Sequence, residues 1–389
     1  VVRWHGGPPS SAIIQCNFPQ LSYFGGPVVQ SPVIVPVLWN SSVNAQVRNS
    51  IAQFYADVTV SSYWSWLSEY DTVGLTPGTS QAILAGTSVA AVTLVPSRCK
   101  TSASCTLDDA QLQSELVAQI AAGHLPAPTT DCTGNSETIY MVHFPPNISL
   151  SGPGQSCVNG GFCAYHYTTT YGTNNVPLIY AAVMDTFTGP CATGCGTDPT
   201  ALENQTDIAS HELVEAVTDP DVGLDTQSVY AAPAGWGDND NSCGEIADIC
   251  ADHSPGDTIT VSGRQWVVQE VWSNAQGMCT STGPSTPVCS GTTLTGCRRC
   301  SCGDSGHACT SATPVCETAS GNVLFGACEA CTATSATCPA NTTCAQSPTP
   351  EQDDVCVSPS TPALGGSAWL LAAALMVSGS IAAGRRANA

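Results

Sequence analysis

The sequence predicts an α+β fold: a small mixed sheet packed on helices, followed by small disulfide-rich modules and a C-terminal transmembrane helix. Three observations predict it. Apolar runs of strand character alternate with amphipathic stretches of helical period through roughly the first 280 residues. Cysteines crowd between Cys289 and Cys356, where large apolar residues are few. An uncharged run from Ala363 to Gly384 precedes Arg385-Arg386. The expected division is a core over 1–282, cysteine-rich modules over 283–358, and a linker with the membrane tail over 359–389.

Residues 5–31 are rich in glycine, proline and serine and read as an extended lead-in. Ser31 to Trp39 is β-branched and apolar throughout, as a central strand requires. Asn40-Ser41-Ser42 can cap the next element, and Val43, Val47, Ile51, Phe54 and Tyr55 recur at helical spacing, giving a helix over 43–57. The aromatic cluster from Ser61 to Leu67 reads as core packing. Residues 72–97 alternate loosely, as one or two short strands would. A second helix runs from Leu107 to Ala122, with Asp108-Asp109 at its positive end. Glu137 to Phe144 is a strand stopped by Pro145-Pro146, and Val176 to Met184 is another. A helix over 203–218 stops at Asp219-Pro220, because proline cannot continue it. Thr258 to Trp272 closes the core as a hairpin around Ser262-Gly263.

Charge and cysteine narrow the setting. The formal charge is −21 and Lys100 is the single lysine, which excludes nucleic acid and anionic membrane surfaces as partners. A reducing cytosol would keep the 22 cysteines as thiols, and the first 280 or so residues hold no Cys-x2-Cys pairs at zinc-ribbon spacing. An exported, disulfide-bonded protein is expected, with extracellular protein or cell-wall and matrix material as partner. Sequons at Asn40, Asn147, Asn204 and Asn341 suit export. The chain opens Val1-Val2-Arg3-Trp4, as expected after signal-peptide removal or in a piece of a longer chain. Cys302, Cys309, Cys316 and Cys328 are spaced almost as Cys331, Cys338, Cys344 and Cys356 are, so two modules stapled by disulfides are expected. Zinc is the rival binder there, but the modules contain only His307. The tail resembles a bacterial sorting segment of the myxobacterial type, held in the membrane with its arginines on the cytoplasmic side; glycosylphosphatidylinositol attachment is the alternative.

The helix over 203–218 carries the candidate chemistry. His211 and Glu215, four residues apart, share one helix face and can share a divalent ion. Glu212 beside them is the candidate general base for a metal-bound water. This is the zinc-peptidase His-Glu-x-x-His arrangement with Glu215 in place of the second histidine, a zincin-like core. The bland alternative is a partly exposed acidic helix whose histidine is capped by a carboxylate. Glu245 is the expected third ligand, in a segment pinned by Cys243 and Cys250, with Asp219 and Asp248 as rivals. Asp238-Asn239-Asp240-Asn241, with Asp219 and Asp221, offers oxygens for calcium but lacks the EF-hand glycine and distal glutamate, so a solvated acidic turn is expected. His143 and His166 sit near strand ends and could line the cleft, although structural roles are commoner; His253 is a spare ligand. No Gly-x-Ser-x-Gly elbow or phosphate loop occurs.

Three blocks, in order, carry a family resemblance. They are Tyr23-Phe24-Gly25-Gly26-Pro27-Val28-Val29 leading into Val33–Trp39, then Ser210 to Pro220, then Gly235-Trp236 followed by Cys243 to Cys250. Together they resemble the plant exordium, or phosphate-induced, protein family and its bacterial relatives over roughly residues 20–280. The resemblance implies a secreted, cell-wall-associated protein and speaks more to location than to reaction. Two functions follow as expectations: an exported cell-surface metal-dependent hydrolase, foremost a zinc peptidase, and a non-catalytic exordium-type wall, matrix or surface-binding protein.

Overall fold

The computed structural model describes residues 19–283, with breaks at 74, 102, 132, 153, 159–160, 225–232, 239–242 and 252–254, together with four short strands between 315 and 357. The chain divides into two compact units, Val1–Leu294 and Thr295–Ala389.

In the first unit the elements run β1 (Leu21–Tyr23), β2 (Val33–Leu38), α1 (Ala45–Val58), α2 (Ser62–Ser65), β3 (Thr87–Ser88), β4 (Val92–Thr93), β5 (Cys105–Asp108) and α3 (Asp109–Ala121). They continue with β6 (Thr138–His143), β7 (Ile148–Ser151), β8 (Ala164–Tyr171), β9 (Val176–Val183), α4 (Ala201–Thr218), β10 (Trp236–Asp238) and the hairpins β11–β12 (Asp257–Val261, Arg264–Val268) and β13–β14 (Val271–Ser273, Met278–Thr280). The principal sheet is mixed, in the order β3-β2-β6-β9-β8, with β4 also on β2. Strands β2, β6 and β9 are parallel, and β8 runs antiparallel to β9 at the edge.

Helices cover both faces, which explains why every residue of β6 is buried. Alternation divides the faces. Tyr165 and Tyr180 both donate to Asp109 Oδ1 at 2.6 Å, at the start of α3. His143 points the other way, between Tyr55 of α1 and Gln205 of α4. His166, next to Tyr165, faces α4 for the same reason.

The helix ends follow local chemistry. Asn44 caps α1, accepting from Gln46 N at 2.8 Å, so the cap lies later than the expected Asn40-Ser41-Ser42. Asn40 instead accepts from Ser42 N and donates to Cys99 O. Asp108 and Gln111 form a capping box on α3, and Thr200 and Glu203 form another on α4. Helix α4 is buried without interruption from Gln205 to Thr218, which replaces the picture of a partly exposed acidic helix with that of a central one. Strand β8, for which no range was expected, carries His166 near its start, as expected of that residue. Its Tyr-His-Tyr-Thr-Thr-Thr-Tyr run has the aromatic and β-branched content of a strand, and Gly172 at φ +72° turns it into β9.

Disulfides join Cys99–Cys105, Cys157–Cys191, Cys163–Cys195 and Cys250–Cys279, and Cys243 is also disulfide-bonded. Among the described residues no helix is long and apolar enough to cross a membrane. The run from Ala363 to Gly384 lies outside the described residues. In the second unit, two antiparallel hairpins set Cys316 opposite Cys328 and Cys344 opposite Cys356, so equivalent positions of the near-repeat occupy equivalent backbone pairs.

Candidate metal centre

The C-terminal half of α4, edge strand β8 and the segment Gly244–Asp248 meet at a buried cluster of histidines and carboxylates. His211, Glu212 and Glu215 are wholly buried, and His166 nearly so. The cluster meets the surface at Glu245 and Asp248, whose side chains are 15% and 25% exposed.

Two groups of three share Glu215. In the first, ligand atoms of His211, Glu215 and Asp248 all lie within 4.8 Å of one another. His211 Nε2 is 3.0 Å from Glu215 Oε1 and 3.5 Å from Asp248 Oδ1. In the second, His166, Glu212 and Glu215 meet within the same distance. His166 Nδ1 is 3.3 Å from Glu212 Oε2 and 3.4 Å from Glu215 Oε2. The two oxygens of Glu215 therefore face different groups.

Surrounding hydrogen bonds fix the imidazole of His211. Gln269 Nε2 donates to Ala247 O at 2.7 Å, which turns Gln269 Oε1 toward His211 Nδ1 at 2.8 Å. Gln269 N donates to Ser210 Oγ at 2.9 Å and ties the same residue to α4. His211 Nδ1 thus carries a proton, and Nε2 is the nitrogen turned toward Glu215 and Asp248, open to an ion that displaces its proton. His211 Nε2 has no hydrogen-bond partner despite its 3.0 Å approach to Glu215.

Zinc bonds to nitrogen and oxygen of about 2 Å set tetrahedral ligand atoms roughly 3.3 Å apart. The 3.0 and 3.5 Å separations, without hydrogen-bond alignment, fit a divalent ion between His211, Glu215 and Asp248. A nitrogen and two carboxylate oxygens form a donor set suited to zinc.

The electrostatics agree with a site built for positive charge. Burial alone would lower the His211 pKa, but Glu215 and then Asp248 outweigh it and push it up to about 10. Burial likewise opposes a charged His166, and Glu245, Glu212 and Glu215 overcome it and raise its pKa well above the usual range. Burial would raise Glu215, yet His211 dominates and holds it well below the normal carboxylate range. Asp219 is raised by burial and by Glu245. Among the described residues, the basic side chains engage elsewhere: Arg48 donates to Val43 O, Arg264 pairs with Asp57, and Arg98 and Lys100 line a cavity beside α3.

The expected ligands are therefore distributed differently. Asp248, a rival for the third position, joins His211 and Glu215; its amide also donates to Glu215 Oε1 at 3.1 Å. Glu245 Oε1 faces His166 Nε2 at 3.4 Å instead. The cause is the short 3₁₀ turn Asp248–Cys250, which lifts Asp248 toward α4. Gly244 makes room for it: at φ +82°, a β-carbon there would fall 2.3 Å from Asp248 Oδ2. Asp219 caps α4, accepting from Gly235 N through Oδ1 at 2.8 Å, while its carbonyl lies 3.3 Å from His166 Nε2. Asp221 stands apart, with burial raising its pKa to about 6. Asp238, first residue of the stretch expected as a solvated acidic turn, is instead fully buried and accepts from Cys243 N. Asn239, Asp240 and Asn241, like His253, lie outside the described residues. His166, named from the sequence as a residue near a strand end that could line the cleft, is brought to Glu212 and Glu215 by β8 from 45 positions before His211, a partnership that spacing does not show. Its only local signal is polarity at an inward position of a strand.

Comparison with family models, curated proteins and solved structures found no match.

Proposed function

We propose that the protein is a metal-dependent hydrolase of zincin-like character, foremost a zinc peptidase, acting outside the cell. The single observation that carries this reading is the convergence of His211, Glu215 and Asp248 on one point, with an unpartnered imidazole nitrogen aimed at it. A zinc ion held there would supply Lewis acidity and a water of lowered pKa. His211 and Glu215 hold it from one face of α4, and Asp248 holds it from the exposed side. In this one-ion reading Glu212 takes the proton, and His166, 3.3 Å away, orients its carboxylate. A substrate carbonyl would enter beside Asp248 and Glu245, the partly exposed members of the cluster. A central helix beneath a mixed sheet suits a zincin-like core, and the disulfides suit an oxidising, extracellular setting. The resemblance to the exordium family agrees with that location.

Full burial of His166, His211, Glu212 and Glu215 favours a second reading, in which the ion is structural and the protein is a wall- or matrix-binding member of the exordium type. One experiment separates the two. Full-length oxidised protein, loaded with zinc, is incubated with a random peptide library alongside His211→Ala. Zinc-dependent cleavage, absent in the variant, is expected. Bound zinc with no cleavage would leave the binding protein as the better account.

A further inference from the structure

We propose that this cluster holds two metal ions, with Glu215 bridging them and His166 and Glu212 forming the second site. The proposal rests on the ion assigned to His211, Glu215 and Asp248, and it changes Glu212 from proton acceptor to ligand.

The geometry of Glu215 is the starting point. Here Oε1 belongs to the His211–Asp248 group, and Oε2 lies 3.4 Å from His166 Nδ1. Each oxygen thus enters a separate group of three donors, and each group contains one imidazole nitrogen and carboxylate oxygen. That is the arrangement in which one carboxylate spans two ions about 3.5–4 Å apart.

The second group repeats the logic of the first. His211 has its far nitrogen fixed by Gln269, leaving the near nitrogen for the ion. His166 has its far nitrogen, Nε2, against the Asp219 carbonyl at 3.3 Å and Glu245 Oε1 at 3.4 Å. Both of those partners accept, so Nε2 carries a proton. Nδ1 faces Glu212 and Glu215, two further acceptors at 3.3 and 3.4 Å, which it meets through a proton when no ion is bound. A cation taking the place of that proton would meet one imidazole nitrogen and two carboxylate oxygens in a wholly buried place. The ligand spacing again matches bonds of about 2 Å. Glu245 Oε1, buried at 3.4 Å from His166 Nε2, holds the ring from the side away from Glu212 and Glu215.

Two ions would also change the chemistry. A water between them is activated by both, and the attacking and leaving oxygens of a displacement can each lie against one ion. Peptides remain substrates for such a site, and phosphate esters become candidates as well.

The test is zinc stoichiometry on full-length oxidised protein, stripped with a chelator, reloaded with zinc alone and desalted. Two zinc ions per chain are expected in the wild type. His166→Ala and Glu212→Gln should each retain one, and His211→Ala should lose the other. One ion in the wild type would overturn the bridge while leaving the proposed hydrolase intact, and no ion would overturn both. Two ions kept by Glu212→Gln would overturn its role as ligand and return it to that of base. Cobalt loading gives a second readout. Magnetic coupling between two cobalt ions is expected in the wild type and should vanish in Glu212→Gln, a near-isosteric change that preserves packing. Uncoupled cobalt in the wild type would overturn the bridge.

Discussion

Two buried histidines point to the same side of the same sheet, yet only one belongs to a candidate site. His143 on β6 and His166 on β8 are both almost fully removed from solvent. Around His143 the partners are neutral. Thr186 N and Oγ1 approach Gln205 Oε1, so Gln205 Nε2 donates to His143 Nδ1 at 3.2 Å, and His143 Nε2–H reaches Tyr55 Oη at 2.9 Å. Both ring nitrogens are satisfied, and burial pushes the pKa down to about 3. Around His166 the partners are carboxylates, and its pKa moves the opposite way against the same burial. Burial therefore does not mark a functional histidine. What marks it is the sign of the charge around it, together with a nitrogen that has only acceptors to face.

The largest effect expected from this contrast is on Glu215. Glu215→Gln should weaken zinc binding by more than about 100-fold, beyond what losing a residue that only orients a ligand gives. His143→Gln should leave zinc binding unchanged. Isothermal titration with zinc on both variants checks this, and a comparable loss in the two would erase the distinction between the histidines. A second prediction concerns acid. His143 is neutral when folded, whereas an unfolded chain takes up its proton below about pH 6.5, so the stability it supports is lost as pH falls from there toward 3. Between pH 7 and pH 4 the loss amounts to about 3 kcal/mol from this residue, at roughly 1.4 kcal/mol per unit. Urea unfolding across that range should show a shallower acid slope in His143→Gln than in the wild type. Equal slopes would mean that His143 is not held neutral.

The two histidines also show how much was readable beforehand. Strand β6, helix α1 and helix α4 follow from apolar period and capping residues, which are local signals. His211 and Glu215 were legible because helical spacing alone puts them on one face. His166 was legible as a cleft-lining candidate but not as a partner of Glu212 and Glu215, because that place depends on an antiparallel edge strand folding back along β9, a long-range pairing that leaves little trace in the spacing. The exchange between Glu245 and Asp248 was hidden for a related reason. Both lie in one short segment, and a single 3₁₀ turn together with Gly244 decides which carboxylate rises toward α4. The cap of α1 shifted from Asn40 to Asn44 because Asn40 is drawn instead to Cys99 O.

Gln269 gives the next effect in size. It orients His211 without touching the proposed ion, so Gln269→Met should reduce zinc affinity by about 10- to 100-fold, the range for an outer-shell partner. Affinity equal to wild type would mean that His211 needs no such support.

The smallest effect tests whether the two histidine networks are separate. Tyr55 is tied to both: its hydroxyl meets His143, while burial and the charge of Glu212 raise its own pKa. Tyr55→Phe strips His143 Nε2–H of its acceptor but keeps the aromatic ring in the core. Leaving one buried donor unsatisfied costs about 1 kcal/mol at the lower end of the usual range. Since the Tyr55 hydroxyl acts on Glu212 only through the field between them, zinc stoichiometry should stay at the wild-type value while the unfolding midpoint falls slightly. Stoichiometry measured beside urea unfolding on the same preparation separates the outcomes. A lost ion would mean that the Tyr55 hydroxyl holds Glu212 in its ligand position, so that the neutral network supports the charged one and the two histidines are parts of a single device.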